Sequence, residues 1–179
     1  MRNFRIAAVF ILLAGFAIAQ DVARDATAIQ TQDLLTVLQA DRSLAMFVTA
    51  VQSSGMATML REEGPFTVFA LSNRAFANLP KEDRETLLTD RAAMHLLLAH
   101  YITLGSIAAD DTASLQSART LVGVKLHFDI RSEGSYVNGA KLVQSEIPCR
   151  NGMIHVLDSF DPGLVRDAVA MSRTNREAK

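Results

Sequence analysis

Four histidines, one cysteine and a few adjacent carboxylates are the residues of this 179-residue chain whose types could do chemistry. His95 and His100 stand five apart in a helical run, about 140° around the axis at 3.6 residues per turn, so they cannot readily chelate one metal from the same helix. His127 and His155 fall in strand-like runs. There is no G-x-S-x-G, no P-loop, no H-E-x-x-H and no paired cysteine, so the residues imply no catalytic group, no metal site and no cofactor. Each histidine is read as structural or solvated, not catalytic. Asp110-Asp111 and Glu62-Glu63 read as solvated turn and helix-end charges. His155 stands out because it lies between Ile154 and Val156, and strand alternation puts it on the opposite face from both. Two roles are open to it: a ring on a ligand surface, or a hydrogen-bonded ring that positions nearby backbone. Asp158, three residues on, lies on the other strand face and forms no acid–base pair with it.

Cys149 is the only cysteine, so no intrachain disulfide can form; it is read as a small semi-buried apolar residue, with an intermolecular or reactive thiol as the alternative. Arg2 and Arg5 precede an apolar run from Ile6 to Ile18, and Ala17-Ile18-Ala19 supplies small residues at a secretory cleavage site. Residues 1–19 are therefore expected to be a signal peptide, the alternative being an uncleaved anchor, for which the run falls short of the roughly 20 residues that span a bilayer. Removing the two arginines leaves 16 basic against 19 acidic residues, a formal charge of −3. No dense basic stripe remains for nucleic acid, whose affinity rests on phosphate neutralisation. A chain of this length buries a core of ordinary size without needing a metal or a disulfide.

The elements that must position these residues follow in chain order. Gln20 to Gln32 reads as a flexible leader. Leu34, Leu35 and Leu38, then Leu44, Phe47, Val48 and Val51, recur at helical spacing; Gly55 ends the second helix and Met56 to Leu60 makes a short third. After Gly64-Pro65, Phe66 to Phe69 has strand composition, and Ser72 and Asn73 can cap a short helix from Arg74 to Leu79 that Pro80 stops. KEDRETLL suits a surface helix, and Asp90 caps Arg91 to about His100, whose Met94, Leu96, Leu97 and Leu98 make it the buried helix. From Leu115 the periodicity becomes that of strands. Val124, Leu126, Phe128 and Ile130 share one face of a half-buried antiparallel strand. Helices first and strands later give an α+β domain and not an alternating parallel sheet. After Pro162 a helix could continue through Leu164, Val165, Ala168 and Val169, with a polar, basic end expected to fray.

Three ordered stretches carry a family resemblance. FTVFALSNRAFANLP, Phe66 to Pro80, resembles the first box of the fasciclin-like (FAS1) domain family, Thr-Val-Phe-Ala-Pro-Thr-Asn-x-Ala-Phe, with Leu71 in place of the Pro and Ser72 in place of the Thr. Residues 138–162 resemble the second box, with its Val-Asn-Gly, polar-Ile and Asn-Gly-x-Ile-His-x-Ile-Asp steps. Between them His100 stands at the family's Tyr position and Tyr101 at its His position. The resemblance covers Asp33 to Pro162. It implies a wedge-shaped β-sandwich flanked by short α-helices, with residues 163–179 as a C-terminal tail, of the bacterial secreted single-domain type. It further implies a structural motif of Thr67, Asn73, Phe76, Asn151, Gly152 and His155, in which Asn151-Gly152 is read as the tight turn.

In animal relatives the Tyr-His region is associated with integrin and matrix adhesion, and so is an Asp-Ile step matched here by Glu146-Ile147. His100, Tyr101, Glu146 and Ile147 are thus the candidate binding residues, with anchoring of a buried helix end as the other role for His100 and Tyr101. The function the resemblance implies is a secreted or periplasmic, monomeric, non-catalytic module that binds a protein or a cell-envelope or matrix partner. The alternative from another class is an extracytoplasmic small-ligand protein or hydrolase using His100 or His155.

Overall fold

Phe66–Leu71 forms strand β1, and all six of its residues are buried. A strand enclosed on both faces requires a layer above and below it as well as strands at both sides. In the computed structural model, which describes residues 31–108 and 115–177, it has all four. The signal peptide expected at residues 1–19, most of the leader and the Asp110-Asp111 turn lie outside the described residues.

On one side β1 pairs antiparallel with β2 (Ile102–Leu104), with Phe66 opposite Leu104 and Val68 opposite Ile102. On the other it pairs in parallel with β7 (Gly152–Leu157), in register from Phe66 and Gly152 to Leu71 and Leu157. Antiparallel neighbours then follow outward: β6 (Ala140–Cys149), β5 (Gly134–Val137), β4 (Lys125–Arg131) and β3 (Ser117–Arg119). A bridge between Thr103 and Thr120, and a 2.9 Å bond from the Leu121 amide to the Ile102 carbonyl, tie the last strand back to β2. The seven-stranded mixed sheet is thereby rolled until its edges nearly meet. Its two halves face each other, since the Phe69 ring lies 5.8 Å from that of Phe128, four strands away in the sheet.

Among the described residues seven α-helices pack on one another and beside the sheet. The described N-terminal ones are α1 (Leu34–Ala40), α2 (Ala45–Ser54), reached through a 3-10 turn at Arg42–Leu44, and α3 (Ala57–Glu62). Asp33 caps α1 through the Thr36 amide, and Gly55, at φ +83°, closes α2. After β1 come α4 (Asn73–Ala77), shorter than the Arg74–Leu79 expected, α5 (Lys81–Thr89) and α6 (Arg91–Ala99). Ser72 caps α4 and Asp90 caps α6, as their side-chain chemistry requires. Met94, Leu97 and Leu98 of α6 are buried. The segment after Pro162 is a 16-residue helix, α7 (Pro162–Glu177), packed on α5 and α6. Val165, Ala168 and Val169 are buried beneath it, and the Ser172 hydroxyl donates to Asp90 at 2.6 Å. Through Ser172 the N-cap aspartate of α6 ties the middle of this helix to the rest of the domain.

Two local expectations need correction. The two-residue turn that joins β6 to β7 is Arg150-Asn151, between the paired residues Cys149 and Gly152, so Asn151-Gly152 is not the turn pair. Gly152 is the first strand residue, at φ +152°, and a Cβ there would overlap the Phe66 carbonyl oxygen. Its smallness serves the close approach of β1 to β7. The Asn-Gly turn with both residues at positive φ is Asn138-Gly139, at 48° and 82°, closing the β5–β6 hairpin. Of the apolar face predicted along β4 only Leu126 is buried; Val124, just before the strand, and Ile130 stay 45% and 58% exposed. Both positions lie near the ends of the strand, whose neighbours in the sheet are β3 and β5.

Candidate functional site

The polar residues of the two boxes reach across the chain to main-chain groups. The Thr67 hydroxyl donates to the Gly105 carbonyl and accepts from the Ile107 amide, both at 2.8 Å. The Asn73 side chain accepts from the Met46 amide at 2.9 Å and donates to the Arg42 carbonyl at 2.8 Å, fixing the start of α2. Asn151 accepts from the Leu34 amide at 2.9 Å and donates to the Leu60 and Glu63 carbonyls at 3.0 and 2.6 Å. One amide therefore fastens the first turn of α1 and the last turn of α3 to the hairpin. Phe76 meets Phe160 edge-on at 4.9 Å. Together they form a scaffold of long-range ties, in which each hydrogen bond satisfies a backbone group that a loop or helix end would otherwise leave open.

His155 lies inside the rolled sheet, fully buried and stacked on Phe69 at 5.4 Å. Its Nε2–H donates to the Ile107 carbonyl at 2.8 Å, and Nδ1 accepts from the Glu146 amide at 3.4 Å. One donor and one acceptor describe a neutral imidazole. Burial accordingly lowers its pKa, against the opposing pull of the Ile107 bond and the Glu146 charge. Glu146 sits where the β6–β7 register slips between Gln144 and Ile147, and it adopts φ +59°. A positive φ at a non-glycine residue in a strand marks a bulge that re-aims side chains. Here the amide turns inward to His155 while the side chain is exposed. Ile147 turns the other way, half-buried. With Val37, Leu44 and Ile154 it walls an open groove of about 380 Å³ between α1 and β6, which Asp41 and Arg42 rim.

His100 and Tyr101 are placed differently. Tyr101 is 1% exposed, its hydroxyl accepts from the Asp161 amide at 2.8 Å, and its ring meets Phe160 edge-on at 6.0 Å. Burial and the nearby Asp161 carboxylate raise its pKa. His100 is half-buried at the end of α6 and donates from Nδ1 to the Leu96 carbonyl of its own helix at 2.7 Å. The structure thus separates the four candidate binding residues: Ile147 lines an open groove, Glu146 is exposed on the bulge one residue before it, and Tyr101 is interior. His95 bonds the Ser54 carbonyl at 3.2 Å, and His127 is exposed on the outer face of β4.

Chemically the arrangement offers shape and charge. The bonds that His95, His100 and His155 make through their rings all go to main-chain atoms. Cys149 is half-buried, and burial together with the Asp33 charge pushes its thiol up to about 12, so it carries little thiolate near neutrality. Among the described residues no cluster of three metal-ligating side chains occurs, and no single helix is long and apolar enough to cross a membrane. The groove was missed from sequence because its walls come from α1, the 3-10 turn and two strands more than a hundred residues away. The one local signal was the polar run Gln144–Glu146, which interrupts the strand alternation.

Comparison with known proteins agrees with this geometry. The family model for the fasciclin domain matches residues 42–160. The chain is 32% identical over 127 residues to protein sll1483 of Synechocystis, covering 70% of each chain. It is 29% identical to sll1735 of the same organism, over 71% of this chain and 95% of that one. It is also 29% identical to the transforming growth factor-beta-induced protein ig-h3 of Sus scrofa, over 70% of this chain but only 18% of that longer protein. In fold it resembles the FAS1 domain pair of the insect cell adhesion molecule Fasciclin I, with a TM-score of 0.67 at 13% identity, over 73% of this chain and 51% of that one. The boxes read from sequence, the parallel β1–β7 pair that joins them and the matched span all lead to one assignment: this chain belongs to the fasciclin domain family.

Proposed function

We propose that this chain is an extracytoplasmic, non-catalytic binding module that works as a monomer in cell-surface adhesion or in contact with the cell envelope or extracellular matrix. The observation that carries this reading is the β6 bulge. It leaves Glu146 exposed next to Ile147, which lines an open groove, while Thr67, Asn73, Asn151 and His155 hydrogen-bond main-chain groups inside the fold. Membership of the fasciclin family and the likeness in fold to a pair of domains from a cell adhesion molecule support it. The Arg2, Arg5 and Ile6–Ile18 pattern supports export.

The contact surface is the bulge and groove rim, where Glu146, Asp41 and Arg42 supply charge and Ile147 and Ile154 an apolar floor. The test is retention of envelope and matrix fractions on the immobilised protein, compared with Glu146→Lys. Reversing an exposed charge in a complementary contact is expected to cut retention about tenfold with an unchanged melting curve. Equal retention by the two proteins counts against this surface. Hydrolysis of a panel of esters that disappears in His155→Gln or His100→Gln would establish the enzymatic alternative instead.

A further inference from the structure

A second cleft lies on another part of the molecule and shares no residue with the groove. It opens between the α4–α5 connection and α7, with a volume of about 470 Å³, within the range of small-molecule pockets. Its walls are apolar: Leu79 and Pro80 on one side, and Phe160, Val165 and Val169 on the other. Arg166 and Arg173 line it from α7, at positions seven apart and so on one face of the helix, about 10 Å apart along the axis. Neither guanidinium has an ion-pair or hydrogen-bond partner among the described residues, and both side chains are exposed. On the facing wall Asp83, likewise without a partner among the described residues, adds one negative charge, so the formal balance of the lining is +1.

We propose that this cleft binds a single-chain aliphatic carboxylate, its hydrocarbon against Leu79, Phe160 and Val169 and its headgroup on the arginines of α7. Charge complementarity selects the occupant. Two uncommitted guanidiniums attract an anion and match the planar carboxylate geometry, while Asp83 opposes a second negative charge on the ligand. The apolar walls require a hydrocarbon body behind the headgroup, so a bare inorganic anion or a short acid fills only part of the site. This reading is independent of the adhesive function proposed above.

The experiment is calorimetric titration of the purified full-length chain with dodecanoate below its micelle concentration, beside dodecyltrimethylammonium and butyrate. Dodecanoate is expected to bind one to one. The cationic amphiphile and the short acid are expected to bind at least about tenfold more weakly, the scale of one charge-assisted hydrogen bond or a few buried methylenes. The Arg166→Gln/Arg173→Gln double variant should raise the dodecanoate Kd by a similar factor with an unchanged melting curve. Equal affinity for the two dodecyl headgroups overturns the proposal. So does an unaltered Kd in the double variant, or binding to phosphatidylglycerol vesicles without binding to monomeric dodecanoate. The headgroup comparison uses the unmodified protein, so it decides the matter even if the double variant folds poorly.

Discussion

Replacing Asn151 by alanine removes three hydrogen bonds that join α1, α3 and the β6–β7 hairpin. A typical intramolecular bond contributes about 1 kcal/mol net, and a buried group left unpaired costs more. The bonds to the Leu34 amide and the Leu60 carbonyl are partly buried, while that to the Glu63 carbonyl is exposed and can be replaced by water. The expected loss is therefore about 2–3 kcal/mol, or roughly 5–10 °C in Tm for a domain of this size. Asn151→Asp separates this account from a general intolerance of change. A carboxylate still accepts from the Leu34 amide but turns oxygen lone pairs toward two carbonyl oxygens, so at pH 7 it should destabilise at least as much as alanine. Lowering the pH through the carboxyl range restores one donor and should narrow the gap. Urea unfolding followed by circular dichroism gives all three values. A loss below about 0.5 kcal/mol, the range of ordinary surface substitutions, would refute the reasoning. So would an aspartate variant more stable than the alanine one at pH 7.

Two further outcomes follow from the same region. Gly152→Ala sets a methyl against the Phe66 carbonyl and should force β1 and β7 apart, leaving little folded protein in a soluble-expression and thermal-melt comparison; a melt within a few degrees of the parent would contradict the close approach. His155 has its pKa depressed in the folded state by burial, so the unfolded chain takes up a proton first, near its ordinary value of 6.5. Stability contributed by the neutral ring is complete above that value and falls as pH drops below it, until the folded-state pKa is passed. The slope is at most about 1.4 kcal/mol per pH unit for one proton. Urea midpoints measured from pH 7.5 to 5 should decline more steeply for the parent than for His155→Gln, and identical slopes would assign the decline to other groups.

What could be read before the structure was local. The caps at Ser72 and Asp90, the stop at Gly55 and the enclosed face of α6 depend on residues within a few positions of each other, and each appears in its expected form. The link between the segments at 66 and 153 was legible only through the two boxes; that it is parallel was not, because a parallel pair has no hairpin to announce it. Asn73 shows the limit clearly. Its type suggests a cap for the helix that it begins, yet its side chain serves Arg42 and Met46, some 30 positions earlier, and Ser72 does the capping. The exposure of Val124 and Ile130 was hidden for a related reason: alternation says which residues share a face, not how far the covering layer extends. At the groove and at the α7 cleft, the walls come from segments distant in sequence, and no single stretch carries the pattern.

The parallel pairing of β1 with β7 also governs the order in which the molecule can be assembled. More than eighty residues separate Phe66 from its register partner Gly152, so the strand that lies between β1 and β6 is missing until the chain has been made through residue 157. Until then β1 has a neighbour on one side only, and its six apolar-rich positions lack half their cover. Closing so wide a loop is entropically slow compared with local contacts. Nascent chains halted short of the second box therefore carry an open, adhesive strand edge, and Gly152–Leu157 acts as the lock that seals it.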